Sequence, residues 1–284
     1  MIRLLVDTAS DISINNDENI KVITPDKFFI ERGANIPEVV RDMPIVMPFK
    51  EFYEMLTSTS EFPKTSQPAP QMYVEAFEEA KKAGDTLLCI LLSSGVSGTY
   101  QSAVLANEIV EYDNIYIIDS LTGAYGIKIL VDEALKLIKE ETEIEKIVEQ
   151  LEELKSRIRI YLSVDTLDYL YRGGRLDKKS AVIGNVVKIK PIITVTKEGV
   201  IGVVGKAMGM VRAMMSMTDI VLEEGVDTDY NFYTICTSGT TNVEKLEKRL
   251  ENNGIRVTER DHLGPVVGTH VGPEGFGVIF IAKK

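Results

Sequence analysis

The feature that most constrains the fold is an alternation of apolar strand-like runs and helical patterns over the first 155 residues. The segment 87–92 is apolar at every position, which is typical of a strand that a parallel sheet buries on both faces. Helical spacing of apolar residues follows at 125–139. Because parallel strands need crossover connections, usually helices, this alternation predicts an α/β domain built on a parallel sheet.

From residue 158 onwards the pattern changes. The segment 191–207 predicts a hairpin that turns at 197–199, and a methionine-rich helix is predicted directly after it. We therefore predict an α/β fold of two α/β domains, with an N-terminal parallel-sheet domain at 1–157 and a C-terminal mixed-sheet domain at 158–284.

Composition and charge narrow the class of protein. Hydrophobic residues make up 44% of the chain and charged residues 26%, a balance typical of a soluble globular protein. The net charge of −11 argues against nucleic acid or an anionic membrane as the main partner. No apolar run reaches the length of a membrane span, and the opening segment lacks the features of a signal peptide. The protein is expected to be cytoplasmic and not an integral membrane protein.

The four cysteine and histidine residues do not form a metal-binding pattern. Cys89 and Cys236 each lie inside an apolar strand-like run, so buried reduced thiols are expected rather than a disulfide. Only His262 and His270 could join them as ligands. We expect neither a bound metal nor a cofactor.

Hydroxyl groups and glycines cluster at 93–99, where the apolar strand gives way to a predicted helix. Ligands bind parallel sheets at the carboxyl ends of the strands, and free N–H groups at a helix N-terminus attract anions. Two interpretations stay open: Ser97 or Thr99 caps the helix, or the hydroxyls of the loop hold a ligand that carries oxygen atoms. The segment matches neither a phosphate-binding P-loop nor a nucleophile elbow.

Two further segments carry candidate residues. Arg172 and Arg175 flank a pair of glycines after a short predicted helix, and His270 lies in a loop rich in glycine. The arginines would be favourable at the carboxyl end of a helix for structural reasons alone. A role facing a ligand is the other interpretation for Arg175 and His270.

Five segments, in this order, resemble the DegV family of bacterial fatty-acid-binding proteins. They read "TSQPAP", "SSGVSGTYQSA", "LDYLYRGGRL", "IGNVVKIKPII" and "GTHVGPEGFG". The family fold has two α/β domains with a fatty acid buried between them. The resemblance implies that Thr65 and Ser97 hold the carboxylate of a long-chain fatty acid such as palmitate. It also implies that His270, Arg175 and Ser94 belong to the ligand-binding residues.

The chemistry of a fatty acid agrees with these residue types, because a buried carboxylate needs hydrogen-bond donors. The resemblance therefore implies a lipid carrier rather than an enzyme. Some members of the family present the acid to a fatty acid kinase. One position departs from the pattern of those members, since Met208 stands where they carry an arginine.

Two alternatives remain. In the first, the protein is an acyl-ester or acyl-phosphate hydrolase or transferase that uses Ser97 as the nucleophile and His270 as the base. In the second, the N-terminus of a helix and Arg175 bind a phosphate or a sugar phosphate.

Overall fold

The computed structural model describes residues 1–12, 20–23, 28–30, 49–58, 62–177 and 188–284. The chain forms two compact units. Unit 1 comprises Met1–Lys27, Ser66–Ser156 and Lys197–Gly199, and unit 2 comprises Phe28–Thr65, Arg157–Thr196 and Val200–Lys284. Strands and helices are numbered below along the whole chain.

Unit 1 is built on a four-stranded sheet in the order β2-β1-β5-β6, in which every pairing is parallel. Its strands are β1 (Ile2–Asp7), β2 (Ile20–Ile23), β5 (Thr86–Leu91) and β6 (Ile115–Asp119). Its helices are α2 (Pro70–Ala83), α3 (Thr99–Val110), α4 (Tyr125–Lys139) and α5 (Ile144–Lys155). The predicted parallel sheet and the predicted helix at 125–139 are confirmed.

Strand β5 lies in the interior of unit 1, as its sequence predicts. All five residues from Leu87 to Leu91 are buried, and Leu87, Cys89 and Leu91 join the core that α2 and α3 complete. Tyr73 and Phe77 of α2 are fully buried in that core. Because the strands run parallel, the turns that follow β1, β5 and β6 emerge at the same edge of the sheet.

Unit 2 contains a six-stranded mixed sheet in the order β11-β10-β12-β7-β8-β9. These strands are β7 (Ile158–Ser163), β8 (Ile189–Val195), β9 (Ile201–Met208), β10 (Tyr233–Cys236), β11 (Glu259–His262) and β12 (Phe276–Ile281). Only β10 and β11 pair in parallel, and the other pairings in this sheet are antiparallel. The predicted mixed sheet is confirmed, and the predicted hairpin is formed by β8 and β9.

The remaining elements of unit 2 include a small antiparallel sheet. It pairs β3 (Phe28–Ile30) with β4 (Pro63–Thr65). The helices are α1 (Phe49–Ser58), α6 (Asp168–Arg172), α7 (Met210–Glu224), α8 (Thr241–Asn252) and α9 (Pro265–Val271). Within the described residues, no helix combines the length and apolar character that crossing a membrane requires.

The two units differ from the predicted continuous domains 1–157 and 158–284. Residues 28–65 belong to unit 2, because β3 pairs with β4 and because α1 and β4 pack against α9, near the end of the chain. The turn residues 197–199 belong to unit 1, where the buried hydroxyl of Ser93 donates a hydrogen bond of 2.7 Å to the carbonyl of Gly199. Both assignments depend on contacts between distant parts of the sequence.

Candidate functional site

The loop 92–98 of unit 1 carries the hydroxyls that the sequence singles out. The oxygen Oγ of Ser97 lies 2.8 Å from Oγ1 of Thr99 and accepts the N–H of Thr99 at 3.3 Å. Helix α3 begins at Thr99 with Gly98 as its N-cap, and Gly98 has no side chain that could accept a hydrogen bond from the first turn. The predicted N-cap position of Ser97 or Thr99 is therefore wrong, although Oγ of Ser97 does accept the first N–H of α3.

The other two serines of this loop have different surroundings. Oγ of Ser93 is fully buried and accepts the N–H of Gly95 at 3.2 Å, so this hydroxyl shapes the loop from inside. Ser94 is exposed, and its backbone N–H donates to Oδ1 of Asp119 at 3.1 Å. A ligand-binding role for Ser94 stays a prediction.

Gln67 is a residue of this region that sequence reasoning missed. It lies in the segment 65–70, and its Nε2 donates a hydrogen bond of 2.9 Å to Oγ of Ser102 in α3. A Cβ atom at Gly98 would lie only 1.9 Å from Oε1 of Gln67. The end of the Gln67 side chain thus packs closely against the glycine next to Ser97.

In unit 2, Thr65 and His270 are brought together from positions 205 residues apart. Thr65 ends β4, and its Oγ1 lies 2.8 Å from Nε2 of His270. His270 does not lie in a loop, as its glycine-rich surroundings predict, but in the last turn of α9, which has Pro265 in its first turn. Proline is favourable at the start of a helix because no helical partner is lost there.

The imidazole of His270 is neutral at physiological pH. Burial, and after it the positive charge of Arg175, lower the pKa of His270 to about 3. Within the described residues Nδ1 is buried and has no hydrogen-bond partner. A buried nitrogen without a hydrogen-bond partner costs free energy in either tautomer of the ring.

Gly173 approaches that nitrogen closely, and Arg175 lies near enough for its charge to act on the imidazole ring. A Cβ atom at Gly173 would lie 2.2 Å from Nδ1 of His270, so the absence of a side chain there lets α6 approach the imidazole ring. The guanidinium of Arg175 donates a hydrogen bond of 2.7 Å to the carbonyl of Gly173, and burial lowers the pKa of Arg175. Arg172 instead lies over the ring of Phe62 at 4.7 Å, away from this cluster of contacts.

Helix α1 supports the helix that carries His270. The hydroxyl of Tyr53 donates a hydrogen bond of 2.7 Å to the carbonyl of Leu263, just before α9. A Cβ atom at Gly268 would lie 2.3 Å from that hydroxyl. Tyr53 and Phe52 are both buried, so α1 and α9 are in close contact one half-turn before His270.

The low pKa of His270 gives a direct prediction. The carbon-bound ring protons of His270 are expected to keep a constant NMR chemical shift from about pH 8 down to about pH 5, because the ring protonates only near pH 3. The spectrum of His270→Gln identifies the signal by its loss. A titration midpoint for His270 between those two pH values would contradict the burial of this ring.

The candidate site residues thus fall into two groups. Thr65, His270 and Arg175 cluster in unit 2, whereas Ser94 and Ser97 lie on one loop of unit 1. Of the segment 183–193, the first five residues lie outside the described part of the chain.

Comparison with known proteins identifies the class to which this fold belongs. The structure superposes on a fatty acid binding DegV family protein from Streptococcus agalactiae with a TM-score of 0.87 and 26% identity, covering 100% of this chain and 99% of that one. It superposes on DegV, a fatty acid binding protein from Bacillus subtilis, with a TM-score of 0.80 and 29% identity, covering 99% of each chain. The class is therefore that of two-unit α/β proteins with the DegV fold.

The sequence places the chain within one family. The model described as "Uncharacterised protein, DegV family COG1307" matches residues 30–283. A DegV domain-containing protein from Caldanaerobacter subterraneus subsp. tengcongensis is 35% identical over 237 residues, which cover 82% of this chain and 84% of that protein. The chain belongs to the DegV family.

Proposed function

We propose that the protein binds one long-chain fatty acid as a carrier, with Thr65 and Ser97 holding the carboxylate. The observation that carries the proposal is the contact between the Thr65 hydroxyl and a neutral, largely buried imidazole in His270. The fatty acid binding relatives from Streptococcus agalactiae and Bacillus subtilis support the same class of ligand.

The neutral imidazole prepares Thr65 to donate to an anion. With its single proton on Nε2, His270 donates to Oγ1 of Thr65, and the O–H of Thr65 is then available to the ligand. In this tautomer Nδ1 is the unprotonated nitrogen and can accept a hydrogen bond. The partly buried guanidinium of Arg175 supplies positive charge beside the ring, which favours an anionic ligand.

Ser97 has a comparable arrangement in unit 1. When Thr99 donates its hydroxyl proton to Oγ of Ser97, the O–H of Ser97 is available to a carboxylate oxygen. Hydrogen bonds to a charged group contribute about 1.5–3 kcal/mol each, which is more than bonds between neutral groups. Thr65 and Ser97 thus supply two neutral donors without introducing a competing acid.

The acyl chain accounts for most of the affinity in this proposal. Each buried methylene contributes about 0.8 kcal/mol, so a chain of about fourteen methylenes yields on the order of 11 kcal/mol before the costs of association are subtracted. The carboxylate contacts then select a fatty acid over a hydrocarbon of the same length.

The experiment that tests this function is mass spectrometry of the purified protein under native conditions, before and after solvent extraction. The expected result is a mass excess equal to one long-chain fatty acid, which extraction removes and added palmitate restores. Protein that carries no lipid and fails to take up palmitate at micromolar concentration would contradict the proposal.

Presentation of the bound acid to a fatty acid kinase is a further part of this proposal. Met208 ends β9 with 52% of its surface exposed, and it brings no charge to that position. Lys206 and Arg212 are exposed nearby in the sequence and are the cations that could replace the missing arginine. Kinase-dependent formation of acyl phosphate on the loaded protein, lost in the double variant Lys206→Ala, Arg212→Ala, would support this role.

Ser97 and His270 as a nucleophile–base pair remain the competing proposal. Each of the two groups has a partner within its own unit, since Ser97 contacts Thr99 and Nε2 of His270 contacts Thr65. These partners support binding roles for both residues. The two proposals are separated by Ser97→Ala, which weakens retention of a fatty acid in a carrier but abolishes turnover of an acyl ester in a hydrolase.

A further inference from the structure

A buried carboxylate in unit 1 holds the start of the loop that carries Ser97. Asp7 ends β1 with only 3% of its surface exposed. Its Oδ1 accepts the N–H of Ala9 and its Oδ2 accepts the N–H of Leu92, each at 2.8 Å. Leu92 is the first residue after β5, so one side chain joins the turn after β1 to the loop after β5.

The position of Ser97 follows from that attachment. The carbonyl of Ser93, the residue next to Leu92, accepts the N–H groups of Val96 at 3.1 Å and Ser97 at 3.2 Å. A shift of Leu92 would therefore be passed through Ser93 to the backbone of Ser97.

A second carboxylate holds the same loop from the other neighbour of β5. Asp119 ends β6, and its Oδ1 accepts the N–H groups of Ser94 at 3.1 Å and Leu121 at 3.2 Å. Strands β1 and β6 flank β5 in the sheet. Consequently Asp7 and Asp119 fix the N–H groups of Leu92 and Ser94 from opposite sides.

Backbone strain in the neighbouring segment 120–124 indicates that this network is tightly held. Ala124 has a φ of 48° and a ψ of −132°, a conformation that a residue with a side chain rarely adopts. Its N–H donates to the carbonyl of Ala9 at 2.7 Å, while the carbonyl of Thr122 accepts the N–H of Ser93 at 3.0 Å. The same three turns are thus joined by a further pair of hydrogen bonds.

Burial of the Asp7 carboxylate costs free energy. Burial raises the pKa of Asp7 to about 6 even though its backbone hydrogen bonds act in the opposite direction. Tyr73 of α2 is close enough for the charge of Asp7 to raise the pKa of its phenol further, and Cys89 of β5 lies beside Tyr73. Burial raises the pKa of both groups, so they stay neutral at pH 7, and of the three only Asp7 ionises near neutrality.

We propose that Asp7 is a positioning residue for the ligand-binding loop, which it holds through Leu92 so that the Ser97 hydroxyl meets the ligand carboxylate. This inference rests on the proposed function of Ser97. Asp7 itself has both oxygens occupied by backbone N–H groups, so it acts on the ligand only through the loop.

The test replaces Asp7 by asparagine, which keeps the shape but supplies one oxygen in place of two. One buried N–H group then loses its acceptor, and we expect palmitate to bind at least about fivefold more weakly. Hydrogen–deuterium exchange of the ligand-free protein should accelerate in the peptide that contains 92–98, with little change in α5.

A matched control separates positioning from general stability. Leu151 is fully buried in α5, so Leu151→Ala is expected to lower the melting temperature by at least as much as Asp7→Asn. It should leave the affinity for palmitate within about twofold of wild type, because Leu151 lies in α5 and belongs neither to the loop nor to the turns that hold it. Equal losses of affinity in the two variants would assign Asp7 a merely structural role and overturn the inference.

The remaining outcomes are also decisive. Asp7→Asn that binds palmitate as tightly as wild type, or that leaves exchange at 92–98 unchanged, would overturn the positioning role. If Asp7→Asn does not fold, Asp7→Glu retains the charge but is one methylene too long to reach both N–H groups in the same place. If Asp7→Glu binds palmitate with wild-type affinity, the positioning role of Asp7 is overturned. Failure of the wild-type protein to bind palmitate contradicts the proposed function instead, and exchange at 92–98 still reports whether Asp7 holds the loop.

Discussion

Protein carrying both Thr65→Val and Ser97→Ala is expected to bind palmitate at least about 100-fold more weakly than wild type and to purify without bound lipid. In the proposed site each substitution removes a donor to the ligand carboxylate, and hydrogen bonds to a charged group contribute about 1.5–3 kcal/mol apiece. Together they correspond to roughly 3–6 kcal/mol of binding free energy, which is a factor of about 100 to 20,000 in the dissociation constant. Displacement of a fluorescent fatty acid measures this change directly.

The control for this double variant removes two hydroxyls of the same types elsewhere. Thr57 and Ser58 are exposed at the end of α1, and their hydroxyls donate to carbonyls of their own helix. Thr57→Val with Ser58→Ala should therefore retain wild-type affinity within about twofold. Comparable affinity in the two double variants would remove Thr65 and Ser97 from the binding site, whatever the ligand proves to be.

Gly277→Ala is expected to cause a large loss of stability. Gly277 lies in β12, between β10 and β7 in the middle of the six-stranded sheet. An added Cβ atom would lie 2.0 Å from the carbonyl oxygen of Tyr161 and 2.8 Å from Cα of Leu162, and both are backbone atoms. Overpacking costs about 1–3 kcal/mol where side chains can yield and occasionally more, so we expect at least about 3 kcal/mol for this backbone clash.

The loss of unfolding free energy is measured by urea unfolding, monitored with a probe that reports on unit 2. Gly239→Ala is the matched control, since an added Cβ atom at Gly239 meets no atom within 4 Å. Its expected change in unfolding free energy lies within about 0.5 kcal/mol. Equal unfolding midpoints for Gly277→Ala and wild type would show that β12 and β7 separate more easily than their packing indicates.

The features that the sequence predicts well are those determined by local patterns. A strand that is apolar at every position has to be buried on both faces, and Leu87–Leu91 is buried accordingly in a parallel sheet. The β8–β9 hairpin follows from alternating apolar residues around a turn that contains Gly199, whose φ of 75° favours glycine.

The features that the sequence does not predict depend on contacts between distant segments. Residues 28–65 belong to unit 2 because two three-residue strands pair and because α1 packs on α9, and neither interaction leaves a periodic signal. His270 is helical even though Gly268 lies in the same short helix. Tyr53 packs so closely against Gly268 that no side chain fits there. This tertiary contact outweighs the low helix propensity of glycine.

The candidate site shows the same division. Ser97 is prominent because hydroxyls and glycines at a strand–helix junction stand out in the sequence. Asp7 and Gln67 do not stand out, since their partners Leu92 and Ser102 lie 85 and 35 residues away. The contact of Thr65 with His270 spans 205 residues and is implied only by the family resemblance.

The docking of α1 and β4 on α9 also has a consequence during protein synthesis. The ribosome completes α1 and β4 long before it makes Pro265–Val271, the helix on which both of them pack. Domains generally fold as units as they emerge from the ribosome, but α1 and β4 cannot complete their packing until almost the entire chain has been synthesised. Chaperones would therefore meet an N-terminal region in which the apolar face of α1, including Phe52 and Tyr53, is still uncovered. A fragment that ends at residue 157 would never cover this face.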